Sequence, residues 1–434
     1  MKRILTLALF LPFLFTSTAF ASAMTQDEIL GNWYHLILRL VRHTATYSPP
    51  LASRNFAYLG IVSYEAIASG DRAHMQSFAG QLKELKPLPA RDANKAYDDA
   101  TVLNAALAQS MQDYFGNTGP SGQNALRATS AKMQEKLSAA IPSDVARRSE
   151  AYGKALAEHI FAWSKTDGGA TIKNMGFPLT YKLKSGPEHW VPTNNQGIQQ
   201  MPLLPDWQKN RSFAIPDAAT CDLPPPPAYS EDKNSEFYKQ ALEVYQTKNA
   251  LSDEQKAIAR FWSDDPMLSP TPPGHWVSII MQISDRDKWP VAKTADALAR
   301  VGIAVADAFI GCWYTKFKYD LIRPVTYIKR VIDPKWETLL ITPPFPEYAS
   351  GHSVQSGAAA EVLTALLGEN FAFDDSTHVD DGIPTRHFKS FDDAANEAAV
   401  SRLYGGIHFR SAIERGLDQG RCIGAYVVKL KTLK

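Results

Sequence analysis

The 434-residue sequence has few cysteines, almost no net charge and no long apolar run after its N-terminus. A formal net charge of +1 gives no general reason to bind nucleic acid or an anionic membrane, so any preference for anions must be local. The three cysteines, Cys221, Cys312 and Cys422, allow at most one disulfide of unknown pairing, and no C-x-x-C or His/Cys cluster indicates a zinc site. The best later apolar segment, residues 301–314, contains Asp307 and is too short to cross a bilayer. A membrane enzyme with several spanning helices is therefore excluded.

The N-terminal segment has the organisation of a signal peptide. Two basic residues at positions 2–3 precede a short apolar stretch at 4–15, and an A-x-A cleavage pattern follows at 19–21. We therefore predict that residues 1–21 are removed on export, which places the protein in the periplasm or outside the cell without a membrane span. An uncleaved anchor is the alternative interpretation.

Apolar residues recur at helical spacing over most of the remaining chain, and no alternating pattern typical of a strand stands out. Residues 22–170 predict an N-terminal helical bundle, and residues 231–434 predict a second helical domain. Between them, residues 171–230 are rich in proline and glycine, and we expect an ordered crossover that packs on the core. The acidic residues 371–391 predict a loop. The sequence therefore predicts an all-α fold of two helical bundles.

Three short segments of the C-terminal half carry the residues best suited to chemistry. They supply one lysine, two arginines, two histidines, a serine hydroxyl and a glycine amide: Lys316, Arg323, Ser350, Gly351, His352, Arg402 and His408. Cations match anionic oxygens, and arginine binds them with a planar fork. Of the two imidazoles, one can bond the central atom of such an anion while the other transfers a proton. The set predicts a site for a tetrahedral oxyanion in the C-terminal bundle.

The spacing within the first two segments suggests how they present their side chains. Lys316 and Arg323 are seven residues apart, so we expect them on one face of a helix. That helix should end at Arg323, because Pro324 disfavours helical geometry in the residue before it. Ser350-Gly351-His352 precedes an apolar segment that predicts a helix, whose N-terminus would offer free N–H groups to an anion.

The third segment needs a break in its helix. Arg402 and His408 are six residues apart, which is about 240° on a continuous helix, so they could not share one face. Gly405-Gly406 lies between them. We therefore predict that the chain kinks at this pair and that a new helix near His408 turns its imidazole back toward Arg402.

At these residues the chain resembles the superfamily of vanadium-dependent haloperoxidases and type-2 phosphatidic acid phosphatases, whose signature reads K-x6-R-P, P-S-G-H and S-R-x5-H-x3-D. The chain departs from it at Ala349, in place of Pro, and at Ala412, in place of the last Asp. The resemblance implies that His408 bonds the vanadium of a vanadate cofactor, or attacks phosphorus in a phosphatase, and that His352 is the general acid/base. The oxygens of the anion would be neutralised by Lys316, Arg323, Ser350, Gly351 and Arg402.

Further stretches resemble the soluble, two-bundle haloperoxidase branch of this superfamily. By that resemblance Phe345 and Trp313 are expected in the pocket, and Asp265, in F-W-S-D-D, is a candidate orienter of the arginines. The family Asp at i+4 would hydrogen-bond the last histidine, which Ala412 cannot do for His408. A backbone carbonyl or a remote carboxylate would have to replace it.

Three functions are consistent with this sequence. The resemblance favours a haloperoxidase that oxidises a halide with hydrogen peroxide at a His408-bound vanadate. A metal-free acid phosphatase would use the same pocket for a phosphate ester, through a phosphohistidine intermediate. A non-catalytic phosphate-binding relative is the third hypothesis, and Ala412 is the residue that favours it. The halide, the organic substrate and the oligomeric state cannot be predicted.

Overall fold

The computed structural model describes residues 24–193 and 201–434, so the predicted signal peptide lies outside the described residues. Among the described residues, five helices precede the crossover: α1 (Gln26–Arg42), α2 (Pro49–Ala68), α3 (Asp99–Phe115), α4 (Pro120–Ala140) and α5 (Ser143–Ser164). Eight follow it: α6 (Glu236–Asn249), α7 (Asp253–Phe261), α8 (Thr271–Asp287), α9 (Val291–Tyr319), α10 (Pro324–Val331), α11 (Gly351–Leu367), α12 (Phe391–Tyr404) and α13 (Arg410–Val428). This confirms the prediction of an all-α fold. No helix within the described ranges combines the length and apolarity needed to cross a membrane.

The helix α9 is the centre of the molecule, and α2 from the N-terminal half packs directly on it. Glycines permit the close approach: a Cβ atom on Gly60 would lie 2.8 Å from the Cα atom of Ala299, and one on Gly302 would lie 2.9 Å from the carbonyl oxygen of Phe56. Most of the buried apolar side chains of both halves form one continuous cluster. The two halves therefore share a core, and their division at residues 170 and 230 stays a prediction.

The crossover is irregular but anchored to α9. The buried carboxylate of Asp307 accepts hydrogen bonds from the backbone N–H groups of Phe213, Ala214 and Ile215 at 2.7, 2.7 and 3.0 Å. A disulfide joins Cys221 of the crossover to Cys422 of α13, which settles the pairing that the sequence left open. These links hold an extended segment against the helices that carry the candidate site.

The acidic loop is only partly a loop. Residues Phe373–Asp375 and Arg386–Phe388 form two short antiparallel strands, β1 and β2, with Phe373 opposite Phe388. Both phenylalanines are buried, and Phe373 also stacks on Phe391. Burial of these rings explains why a polar, acidic stretch forms a hairpin, although its sequence has no alternation of apolar and polar residues that would predict strands.

The expectation that Lys316 and Arg323 share one helix face is wrong. The helix α9 ends at Tyr319, because Asp320 adopts a left-handed conformation with φ of 53° and donates its N–H to the carbonyl of Lys316. Arg323 is the extended N-cap residue of a separate short helix, α10, which begins with Pro324. The two cations therefore approach the site from different elements.

Candidate oxyanion site

The N-terminus of α11 is built as the sequence predicts. Ser350 caps the helix, and its hydroxyl accepts a hydrogen bond from the N–H of Ser353 at 3.3 Å. Gly351 begins the helix beside open space, since a Cβ atom there would meet nothing within 4 Å. His352 follows in the first turn, and Gly368 ends the helix with φ of 101°. This end of α11 thus presents an amide and an imidazole to the same space.

Lys316 is fully buried at the end of α9. Its ammonium group donates to the carbonyls of Pro346, Glu347 and Ala349 at 2.9, 3.0 and 2.5 Å. Burial, together with the nearby charge of Arg323, lowers the pKa of Lys316 to about 7. All three protons are engaged with the backbone, so binding an oxyanion directly would require Lys316 to release one carbonyl.

Arg323 connects two of the sequence segments. Its Nε atom donates to the carbonyl of Phe345 at 2.9 Å, while one terminal nitrogen donates to the carbonyl of Ile407 at 2.9 Å and lies 3.1 Å from Nε2 of His408. Burial lowers the pKa of Arg323 to about 9, and the charge of Arg402 acts in the same direction. The predicted convergence of His408 with Arg323 is therefore present.

The glycine pair turns the third segment back on itself. The helix α12 ends at Tyr404, and Gly406 has φ of 77°. Arg402, near the end of α12, donates to the carbonyl of Trp262 at 2.8 Å, and burial lowers its pKa to about 10. His408 lies just before α13. Arg402 and His408 border the same cavity, so the predicted kink is confirmed.

A carboxylate that the sequence analysis did not identify holds His408. Oε1 of the fully buried Glu347 lies 2.8 Å from Nδ1 of His408 and also accepts the N–H of Phe409 at 2.8 Å. Ala412, at the position of the family Asp, is buried and offers no polar group. The sequence did contain a signal for this contact, because Glu347 is the acidic residue of F-P-E-Y-A-S-G-H, five positions before His352.

A cavity of 370 Å³ opens onto these groups. Gly351, His352, Arg402 and His408 lie on its wall. Within the described ranges, Nε2 of His352 and Nε of Arg402 are buried and have no hydrogen-bond partner. Burial, followed by the charge of Arg402, lowers the pKa of His352 well below its ordinary range. The unpartnered Nε donor of Arg402 and the crowded buried cations are features that a bound oxyanion would satisfy, so these residues fit vanadate or phosphate.

The rest of the cavity is largely apolar. Trp313 and Phe345 line it, as the resemblance implied, and their ring centroids lie 5.0 Å apart. The Phe345 ring also faces both cations of the first segment, with Lys316 Nζ at 5.0 Å and Arg323 Cζ at 5.1 Å from its centroid. Phe345 thus separates the buried charges from the apolar chamber.

The acidic pair after α7 has two different environments. Asp265 lines the cavity, and its charge raises the pKa of Arg402 against the larger effect of burial. Asp264 is buried and binds two histidines instead, with His275 Nδ1 at 2.8 Å and His378 Nε2 at 3.0 Å. The ligand atoms of Asp264, His275 and His378 lie within 4.8 Å of one another, so they could surround a cation. Their facing nitrogens already bond the carboxylate, and the cluster is complete as a hydrogen-bond network.

The fold and this pocket define an all-α protein with a buried, cationic site that fits a tetrahedral oxyanion. A family model described as the VCPO second helical-bundle domain matches residues 296–433. The chain is 24% identical to vanadium chloroperoxidase of Curvularia inaequalis, over 87% of this chain and 78% of that protein. The crystal structure of a bacterial vanadium-dependent chloroperoxidase in its holo form has the same fold, with a TM-score of 0.65 at 18% identity, covering 88% of this chain and 92% of that one.

A crystal structure described as the first bacterial vanadium-dependent iodoperoxidase is much more similar. It matches with a TM-score of 0.86 and 39% sequence identity, over 94% of this chain and 97% of that one. The chain therefore belongs to the family of vanadium-dependent haloperoxidases.

Proposed function

We propose that the protein is an exported vanadium-dependent haloperoxidase that holds vanadate at His408 and oxidises a halide with hydrogen peroxide. The observation that carries the proposal is that His408, whose Nε2 atom lies 3.1 Å from Arg323, shares one cavity with Arg402, and that Nε of Arg402 is buried there without a partner among the described residues. The 39% identical relative is described as an iodoperoxidase, so iodide is the halide to test first. The disulfide between Cys221 and Cys422 supports export to an oxidising compartment.

The chain's own groups have distinct roles in this proposal. Nε2 of His408 would be the protein ligand of vanadium, and the Gly351 amide and the arginines would neutralise the oxygens of the anion. Nε2 of His352, buried and without a partner among the described residues, would accept a proton from peroxide and later return it. Its lowered pKa keeps the free imidazole neutral, which is the form that accepts a proton.

Bound vanadate would supply a Lewis-acid centre that activates peroxide without changing the oxidation state of the metal. In the overall reaction, halide, hydrogen peroxide and one proton give hypohalous acid and water, so the halide is oxidised and the peroxide is reduced. The apolar wall formed by Trp313 and Phe345 would exclude bulk water from this step.

Iodide oxidation with and without added vanadate tests the proposal. We expect vanadate-dependent formation of triiodide by the wild type and its loss in His408→Ala, because among the described residues His408 is the histidine whose imidazole contacts Arg323. His387→Ala is the matched control, since His387 is a surface histidine that pairs with Asp374 on the β-hairpin and should leave turnover unchanged. Retained turnover in His408→Ala would refute the assigned role. Hydrolysis of an aryl phosphate that vanadate inhibits, without iodide oxidation, would favour the phosphatase alternative.

A further inference from the structure

We infer that Glu347 is the positioning residue of His408. It lies in the loop before α11, and it provides the hydrogen bond to this histidine that an Asp in α13 would provide in the family signature. This inference rests on the proposed function, because it concerns how the chain prepares His408 to bond vanadium. It assigns to Glu347 a role in cofactor binding without direct contact with the cofactor.

The contacts of the two ring nitrogens of His408 together assign its tautomer. The guanidinium of Arg323 has only donors, so its contact at 3.1 Å makes Nε2 of His408 an acceptor. Oε1 of Glu347 already accepts the N–H of Phe409, so this oxygen is an acceptor, and its contact at 2.8 Å places the proton on Nδ1. Both contacts thus leave the lone pair on Nε2, which is the atom that faces the arginine and the cavity. A carboxylate on the opposite nitrogen also makes the imidazole a stronger ligand.

The carboxylate of Glu347 is itself held firmly. Its Oε1 atom accepts the N–H of Phe409, the residue next to His408, so one oxygen fixes the ring and the backbone beside it. The backbone of Glu347 donates to the carbonyl of Leu321 at 3.0 Å and accepts from Lys316 at 3.0 Å. The side chain is fully buried. Glu347 therefore lies where the segments of Lys316, Arg323 and His408 meet.

The position of the missing Asp explains why a remote residue is needed. Ala412 belongs to α13, and its carbonyl accepts the N–H of Ser350, so this turn of the helix packs against the N-terminus of α11. A methyl group there has no polar atom to offer His408. The carboxylate that bonds Nδ1 instead comes from Glu347, in the chain segment that leads into α11. Glu347 precedes His408 in the sequence, whereas Ala412 follows it.

Comparing the affinities of vanadate and inorganic phosphate separates positioning from simple structural support. Vanadate is proposed to bond His408, whereas phosphate would bind through the cations alone. In Glu347→Ala we expect vanadate affinity to fall by about 10- to 100-fold. Phosphate affinity should stay the same or rise, because a negative charge near the pocket is removed. Isothermal titration calorimetry on the full chain measures both constants.

Two further variants guard against misfolding. Glu347→Gln keeps the shape and one acceptor oxygen, so it should show a smaller loss of vanadate affinity with unchanged phosphate affinity. Glu347→Ala combined with Ala412→Asp restores a carboxylate at the family position and should recover at least part of the vanadate affinity. Equal losses of vanadate and phosphate affinity in Glu347→Gln, or unchanged vanadate affinity in Glu347→Ala, would overturn the inference. A wild type that binds vanadate no more tightly than phosphate would instead overturn the proposed function.

Discussion

Replacing His275 probes the buried network behind the site. His275 is fully buried, with Nδ1 2.8 Å from Asp264 and Nε2 2.7 Å from Asp375. Because each ring nitrogen faces a carboxylate, both carry a proton and the ring is an imidazolium. Burial alone would lower its pKa, but the charges of Asp264 and Asp375 outweigh burial and raise it to about 10. The Trp262 ring stacks on the imidazolium, with centroids 4.4 Å apart.

The shift corresponds to roughly 5 kcal/mol of stability, since each pKa unit is worth about 1.4 kcal/mol. His275 has a folded pKa above its unfolded value, so this contribution is complete below pH 6.5 and is lost as the pH rises toward 10. Removing one partner of a buried ion pair costs about 3–5 kcal/mol. We therefore expect His275→Gln to lose about that much unfolding free energy at pH 7, measured by urea denaturation.

A direct titration checks the charge state. Global stability also contains the opposite slope of Lys316, whose lowered pKa makes the folded state gain stability as the pH rises above 7. The NMR signals of the His275 ring isolate the group, and they should stay those of an imidazolium at pH 8.5. A ring that titrates near pH 6.5, together with a stability loss below about 1 kcal/mol in His275→Gln, would show that His275 is not a buried imidazolium held by two carboxylates.

Two further predictions concern the disulfide and the buried lysine. Replacing both Cys221 and Cys422 by Ser should lower the unfolding free energy by up to about 5 kcal/mol, because the bond closes a long loop with a sequence separation of 201 residues, and urea denaturation would show it. Sulfate binding, measured by calorimetry, should weaken about tenfold per pH unit above 7, because Lys316 with a pKa of about 7 must take up a proton when an anion arrives. Lys316→Gln should remove most of that pH dependence, and an unchanged slope would contradict it.

Much of the fold and of the site could be predicted from the sequence, because helices, their caps and their breaks depend mainly on neighbouring residues. The apolar segment after Ser350-Gly351-His352 predicted the helix α11, and Gly405-Gly406 predicted the break after α12. The capping role of Ser350 also follows from its neighbours alone.

The missed features depend on contacts between distant segments. The expectation that Pro324 keeps Arg323 out of helical geometry was correct, because Arg323 is extended. Nothing local showed, however, that Asp320 would end the helix a turn earlier. Glu347 and His408 are 61 positions apart, so their hydrogen bond emerges only when α11 and α13 pack together. The pairing of Cys221 with Cys422 has the same origin.

The most direct test of the central claim is a crystal structure of the protein soaked with vanadate, with vanadium located by its anomalous scattering. We expect one vanadium per chain, bonded to Nε2 of His408 within the cavity bordered by Gly351, His352 and Arg402. Vanadium found elsewhere, for example beside His275, or the absence of a peak at His408 at saturating vanadate, would contradict it.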